Sequence, residues 1–166
     1  LDGKELTTFK ESTMEDLNEI VVAAQVAQKK WQKVTIKERV QVFYRYKQLL
    51  EKKSEELTEI IHRENGKIHA EAKAEIDKVI ELTEFACSLP QFMNGENMEV
   101  NKGVFCSSTK IPVGIVASIV PFNFPTMVPH WTIANAIALG NAFILKPSEA
   151  VPISSQYTAK LLKEAG

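Results

Sequence analysis

Residues 111–149, IPVGIVASIVPFNFPTMVPHWTIANAIALGNAFILKPSE, constrain the fold more than any other stretch of the chain. Residues 111–120 form an apolar run broken only by Pro112, Gly114 and Ser118. Continuous apolarity of this kind suits a buried strand in a parallel sheet covered on both faces. A Pro-Phe-Asn-Phe-Pro knot follows at 121–125. Residues 126–139 then read as one helix, with Pro129 in the first turn, where a missing amide does no harm. Gly140 and Asn141 turn the chain into a second strand, 142–145, which ends in the polar cluster Lys146-Pro147-Ser148-Glu149. Pro152 opens a last helix to Ala165, and Gly166 takes its C-terminal cap position. Strand, helix, strand, helix in this order is the grammar of a nucleotide-binding α/β sheet. Such sheets bind ligands beyond the carboxyl ends of their strands. That rule makes Asn123, Lys146 and Glu149 the candidate functional residues.

Upstream, the periodicity is helical. Leu17, Ile20, Val21, Ala24, Ala27 and Trp31 make one apolar stripe over residues 14–31, with Thr13 as N-cap. Thr35 and Glu38 have the spacing of a capping box. The helix they open carries Ile36, Val40, Phe43, Tyr44, Lys47 and Leu50 on its inner face. Ser54 is expected to cap a third helix over 55–64, which Asn65-Gly66 ends. A fourth runs over 68–89 until Pro90 stops it. The organisation expected is therefore a helical lead-in over 13–90, a hairpin or arm over 97–110, and a βαβα portion over 111–166. A short strand is also expected at residues 6–10.

Composition narrows the class. With 20 basic and 21 acidic residues the net charge is −1, which gives no reason to expect nucleic acid or an acidic membrane as partner. No window approaches the ~20 apolar residues of a membrane span, and residues 1–8 lack the apolar core of a secretory signal. The two cysteines, Cys87 and Cys106, are too few for a disulfide framework. They read as buried structural thiols in a reducing, cytoplasmic compartment. His62, His69 and His130 lack metal-ligand spacing and read as surface or satisfied core histidines; no metal site is expected. Glu-Lys alternation over 51–81 reads as a solvated helix face. Leu1 is not an initiator methionine, Gly166 falls where a helix would hand over to a strand, and two strands cannot cover a sheet's faces. The chain is therefore expected to be part of a longer enzyme.

PFNFP followed at this distance by GNAFILKPSE resembles the front half of NAD(P)-dependent aldehyde dehydrogenases. The leading AAQVAQKKW, the helix with Arg39 and ENGK at 64–67 extend the resemblance over roughly Lys4 to Gly166. Phe122 before the motif Asn, FNFPTMVPHW, and ENGK followed by EFA with a nearby Pro are most similar to the CoA-acylating methylmalonate-semialdehyde dehydrogenase branch. Two positions depart from it: Lys78 where that branch carries Arg, and Ala150-Val151-Pro152 where it carries Arg-Thr-Pro. Lys does not replace a bidentate Arg equivalently, so the departures leave a carboxylated substrate open.

The resemblance implies a partial Rossmann-like parallel sheet preceded by a helical segment, with the catalytic domain absent from these residues. It implies oxidation of an aldehyde, or a semialdehyde, to an acid or acyl-CoA. Hydride goes to NAD, and a cysteine carries the acyl group as a thiohemiacetal and then a thioester. Asn123 would donate to the oxyanion. Lys146 and Glu149 would bind the adenosine ribose, and Val120, Pro121, Phe122 and Ser148 would line the cofactor cleft. A Glu at 149 repels a 2′-phosphate, which favours NAD over NADP. CoA or water would accept the acyl group, and the full-length enzyme would be a homo-oligomer. The nucleophilic Cys, the general-base Glu and the Gly-rich pyrophosphate turn would lie outside these residues, leaving them inactive alone. Residue by residue, a helix-capping Asn123 and a solvated Lys146–Glu149 pair stay open. Two rival readings are a non-catalytic helical interaction module and another NAD-binding oxidoreductase. The latter would show Gly-x-Gly-x-x-Gly after its first strand.

Overall fold

A computed structural model describes residues 5–166. Lys4, where the resemblance begins, and the first residues of the segment lacking a signal core lie outside the described residues. Seven helices and four strands follow in the order α1 (Met14–Trp31), α2 (Ile36–Lys52), α3 (Ser54–Asn65), α4 (His69–Ser88), β1 (Glu96–Asn101), β2 (Val104–Ser108), β3 (Ile115–Ile119), α5 (Met127–His130), α6 (Ile133–Ala138), β4 (Ala142–Lys146) and α7 (Ile153–Ala165). A single 3₁₀ turn, Leu89–Gln91, takes Pro90 just after α4.

Local chemistry explains most of the boundaries. Thr13 with Asp16, and Thr35 with Glu38, each close a full capping box. Gly66 ends α3 at φ 84°, and its amide reaches the His62 carbonyl at 3.0 Å. Ser54 does not cap α3. It is the first helical residue, and its buried hydroxyl lacks a hydrogen-bond partner. Residues 6–10, expected as a strand, have no regular structure.

The core sits among helices. Phe43, Tyr46 and Leu50 of α2, Leu57 and Ile61 of α3, and Ile76 and Val79 of α4 are almost fully buried, and Leu161 of α7 and Ala134 and Ala138 of α6 close over them. Tyr44, expected inward, is exposed, and Tyr46 takes the inner position. The expected stripe on α1 is half open: Leu17 and Ile20 are exposed and Gln28 is the buried residue. Beside the C-terminal half of that stripe, an apolar groove of about 910 Å³, bounded by Ala24, Trp31, Val42, Phe143 and Leu162, lies between α1, β4 and α7.

β3 and β4 pair in parallel, from Ile115 with Ala142 to Ile119 with Lys146. Only 115–119 of the apolar run are strand, and Ile111, Val113 and Ile119 are each at least 80 % exposed. A two-stranded sheet covers one face with its helices and leaves the other bare. The connecting helix expected over 126–139 breaks into α5 and α6 at Trp131 and Thr132. Asn141 ties the sheet: its Oδ1 accepts from the Gly114 amide at 3.0 Å, and its Nδ2 donates to the Ala136 carbonyl at 3.0 Å. β1 and β2 form an antiparallel hairpin, exposed along both strands. No helix among the described residues is long and apolar enough to cross a membrane.

Candidate functional site

The carboxyl ends of β3 and β4 carry the two candidate segments. The Val120 amide donates to the Lys146 carbonyl at 3.2 Å, one step past the paired strands, so the ladder ends where both loops begin. From there residues 121–125 turn outward. Pro121, Phe122, Asn123 and Phe124 are exposed, whereas Pro125 and Thr126 are buried. The exposed knot therefore stands on a buried foot.

That foot is anchored by α4. Glu75, buried on α4, accepts at Oε1 from the Thr126 amide (2.8 Å), the Thr126 hydroxyl (2.7 Å) and the Met127 amide (3.0 Å). Its Oε2 pairs with Lys67 Nζ at 2.5 Å. Lys67 Nζ also lies 3.8 Å from the centre of the Phe124 ring, a cation–π contact. The tetrapeptide at 64–67 reaches the knot at one more point and also reaches the start of α7. Asn65 Nδ2 donates to the Phe122 carbonyl at 2.7 Å. Glu64 accepts from the Ile153 and Ser154 amides at 2.7 and 2.9 Å, holding the start of α7. Ser155 of α7 donates back to the Pro125 carbonyl at 2.6 Å. These contacts run to residues flanking Asn123 and to the start of α7, and leave Asn123 itself exposed.

Glu64 and Glu75 correct the reading of 51–81 as a wholly solvated face, because both carboxylates are buried against backbone amides. Spacing alone did not distinguish them from their exposed neighbours. For Glu64 a signal was present in the tetrapeptide ENGK; Glu75 had none.

On the second loop, Lys146 Nζ lies 2.6 Å from Glu149 Oε2, with the two side chains 56 % and 85 % exposed. The hydrogen bond from Lys146 holds the Glu149 carboxyl below its usual range, so Glu149 is an anionic acceptor at neutral pH. An ammonium has three donors, and Glu149 takes one. Ser148 turns inward instead: it is buried, and its hydroxyl accepts from the Ala150 amide at 3.3 Å. Val120 is likewise buried, with its amide already engaged. Lys78 sits on the surface of α4, 2.6 Å from Glu81.

Neither cysteine joins this arrangement. Cys87 is buried and its thiol donates to the Thr83 carbonyl at 3.4 Å; burial raises its pKa. Cys106 is exposed on the hairpin opposite Met98, which corrects the expectation of a buried thiol. A two-stranded hairpin has no second layer to bury it. His130 is a satisfied core histidine: a carbonyl only accepts, so Nδ1 carries the proton toward Thr126 O (2.6 Å) and Nε2 accepts from the Tyr46 hydroxyl (2.8 Å). Among the described residues no cluster of three or more His, Cys, Asp or Glu could hold a metal ion.

Comparison with known proteins gives concordant results. The model of the aldehyde dehydrogenase family matches residues 1–166. Malonate-semialdehyde dehydrogenase of Lacticaseibacillus casei is 45 % identical over 165 residues, which cover 99 % of this chain and 34 % of that protein. A Sinorhizobium meliloti 1021 protein assigned as a methylmalonate-semialdehyde dehydrogenase and solved with NAD is 42 % identical at a TM-score of 0.90, over 93 % of this chain and 32 % of that one. An Escherichia coli NADP-dependent enzyme is 26 % identical at a TM-score of 0.96, over 99 % of this chain and 34 % of that one. The chain thus spans about a third of the length of the relatives it matches.

Proposed function

The chain belongs to the aldehyde dehydrogenase family, and on that premise we propose that it supplies one wall of the active site of an NAD-dependent enzyme oxidising an aldehyde to an acid or acyl-CoA. A semialdehyde is the substrate class favoured by its relatives' names. The observation that carries the reading is the presentation of Asn123. Asn123 is exposed beyond the strand ends, while Asn65 and Glu75 hold the backbone of its flanking residues and Lys67 the Phe124 ring.

A nucleophile attacking an aldehyde carbon pushes the carbonyl π pair onto oxygen. A neutral NH₂ fixed in advance stabilises that charge without itself ionising. Pro121 and Pro125 limit the loop's conformations, so little ordering cost remains at the moment of reaction. The nucleophile and general base belong to residues outside these 166, since Cys87 is buried and engaged and Cys106 stands on the hairpin. Aldehyde oxidation measured for these residues alone would overturn that assignment.

The Lys146–Glu149 pair fits a ribose. Glu149 would accept from vicinal hydroxyls, and the donors that Lys146 has left over would serve the ribose oxygens. Pro121 and Phe122 line the cleft through exposed surface, whereas Val120 and Ser148 support it from inside. When bound, NAD accepts the hydride; the acyl group then leaves to water or CoA. The exposed β1–β2 hairpin offers an edge for assembly into a homo-oligomer.

The test separates the two loops. In the full-length enzyme Asn123→Ala should lower kcat about 10²–10³-fold with the NAD Kd unchanged. Lys146→Ala should weaken NAD binding. Unchanged turnover in Asn123→Ala would remove that residue from the chemistry.

A further inference from the structure

We propose that Asn65 is a positioning residue for Asn123. The inference rests on the reading that Asn123 donates to the reacting oxygen. Asn65 is the last residue of α3, and Gly66 follows it in the left-handed conformation, so the backbone direction at the helix end is set. Asn65 Nδ2 donates to the Phe122 carbonyl at 2.7 Å across 57 residues of sequence. That carbonyl belongs to the peptide plane that also contains the Asn123 nitrogen and Cα. A planar peptide cannot rotate one of these atoms without the others. Gripping the oxygen therefore fixes the direction in which Asn123 leaves the backbone.

The other side of Asn123 is pinned independently. The Phe124 ring lies under Lys67 Nζ, and Glu75 holds the amides of Thr126 and Met127. Asn65 is thus the contact nearest Asn123 on its amino side, and it is half-buried rather than part of the apolar core. Its loss should disturb aim more than folding. A misplacement of about 1 Å from a residue remote from the chemistry can cost as much as 100-fold in rate.

The experiment is a double-mutant cycle in the full-length enzyme with Asn65→Ala, Asn123→Ala and the pair. Malonate semialdehyde and propanal serve as probe substrates with NAD, and the faster of the two is used throughout. Asn65→Ala should lower kcat about tenfold, with KM for NAD within about twofold and the thermal midpoint unchanged. Asn65→Asp, similar in shape but without the NH₂ donor, should match it and carries the test if the Ala variant misfolds. In the Asn123→Ala background, Asn65→Ala should change kcat no further, because the group it aims is gone. Multiplicative losses in the pair, or unchanged kcat in both Asn65 variants while Asn123→Ala is impaired, overturn the positioning role alone. Unchanged kcat in Asn123→Ala, or no turnover by the wild type, overturns the underlying reading and this proposal with it.

Discussion

Lys67 and Glu75 form a buried ion pair that reaches Thr126: Lys67 Nζ sits 2.5 Å from Glu75 Oε2, and Glu75 Oε1 takes the amide and hydroxyl of Thr126. The Glu75 side chain is fully enclosed and that of Lys67 nearly so. A carboxylate so buried needs every partner it has.

Removing the cation should therefore cost more than removing the pair. Lys67→Met leaves the Glu75 charge uncompensated and is expected to lose about 3 kcal/mol of stability. Lys67→Met combined with Glu75→Gln keeps one oxygen for the Thr126 and Met127 amides and should recover part of that loss. Thermal midpoints of the two variants decide it, and a Lys67→Met protein as stable as wild type would contradict the account.

The pH dependence of stability has a named contributor in His130. Burial pushes its pKa down to about 4 from the ordinary 6.5, against opposing effects of the Thr126 carbonyl and the Glu75 charge. The unfolded chain takes up a proton as pH falls through 6.5, and the folded chain does so only near 4. The unfolded state binds more protons in that window, so stability falls as pH drops from about 6.5 and the loss is complete below 4. Its size is about 3 kcal/mol. His130→Leu leaves the Tyr46 hydroxyl without its acceptor and the Thr126 carbonyl with only the residue-130 amide at 3.3 Å, and should cost about 2 kcal/mol at pH 7.5. The gap to wild type should close toward pH 4.5. A gap that stays constant between the two pH values would exclude His130 as the titrating group.

Much of this architecture was legible because its causes are local. The capping boxes at Thr13 and Thr35 join residues three apart, and the strand, knot and second strand are contiguous. What could not be read joins distant residues. Asn65 meets Phe122 across 57 positions and Glu75 meets Thr126 across 51. In a helix rich in Glu and Lys, periodicity does not say which carboxylate faces a backbone amide. Tertiary packing also decided that the helix over 126–139 breaks at Trp131, and that β3 and the apolar stripe of α1 stay half-exposed. The candidate residues Asn123, Lys146 and Glu149 stood out through their place after apolar strands. Their support did not.

Cofactor choice should reside in Glu149. A solved structure with this fold belongs to an NADP-dependent Escherichia coli enzyme, so the fold alone does not choose between the two dinucleotides. The hydrogen bond from Lys146 lowers the pKa of an already anionic Glu149, and on the proposed reading such an anion beside the ribose would oppose a 2′-phosphate. Glu149→Gln in the full-length enzyme is expected to raise the ratio of kcat/KM for NADP over NAD about tenfold, the size of a modest charge clash. Parallel kinetics with both cofactors measure it. A ratio that does not move would place the selection elsewhere.

The turn between α6 and β4 offers a test of what glycine contributes to the fold. Gly140 has φ +94°, and a Cβ there would stand 2.8 Å from Pro112 Cγ and 3.1 Å from Arg39 Nη1. Arg39 cannot easily withdraw, since its Nε donates to the Ala138 carbonyl at 2.7 Å and its Nη1 to the Val34 carbonyl at 2.6 Å. Gly103 in the hairpin has a similar φ of +73° with nothing within 4 Å. Alanine at 103 should therefore cost only the left-handed conformation, roughly 1–2 kcal/mol. Alanine at 140 adds the clash, for a total of about 2–5 kcal/mol. Thermal midpoints of Gly103→Ala and Gly140→Ala compare the two directly. Equal losses would show that Pro112 and Arg39 yield freely and that backbone strain alone governs this turn.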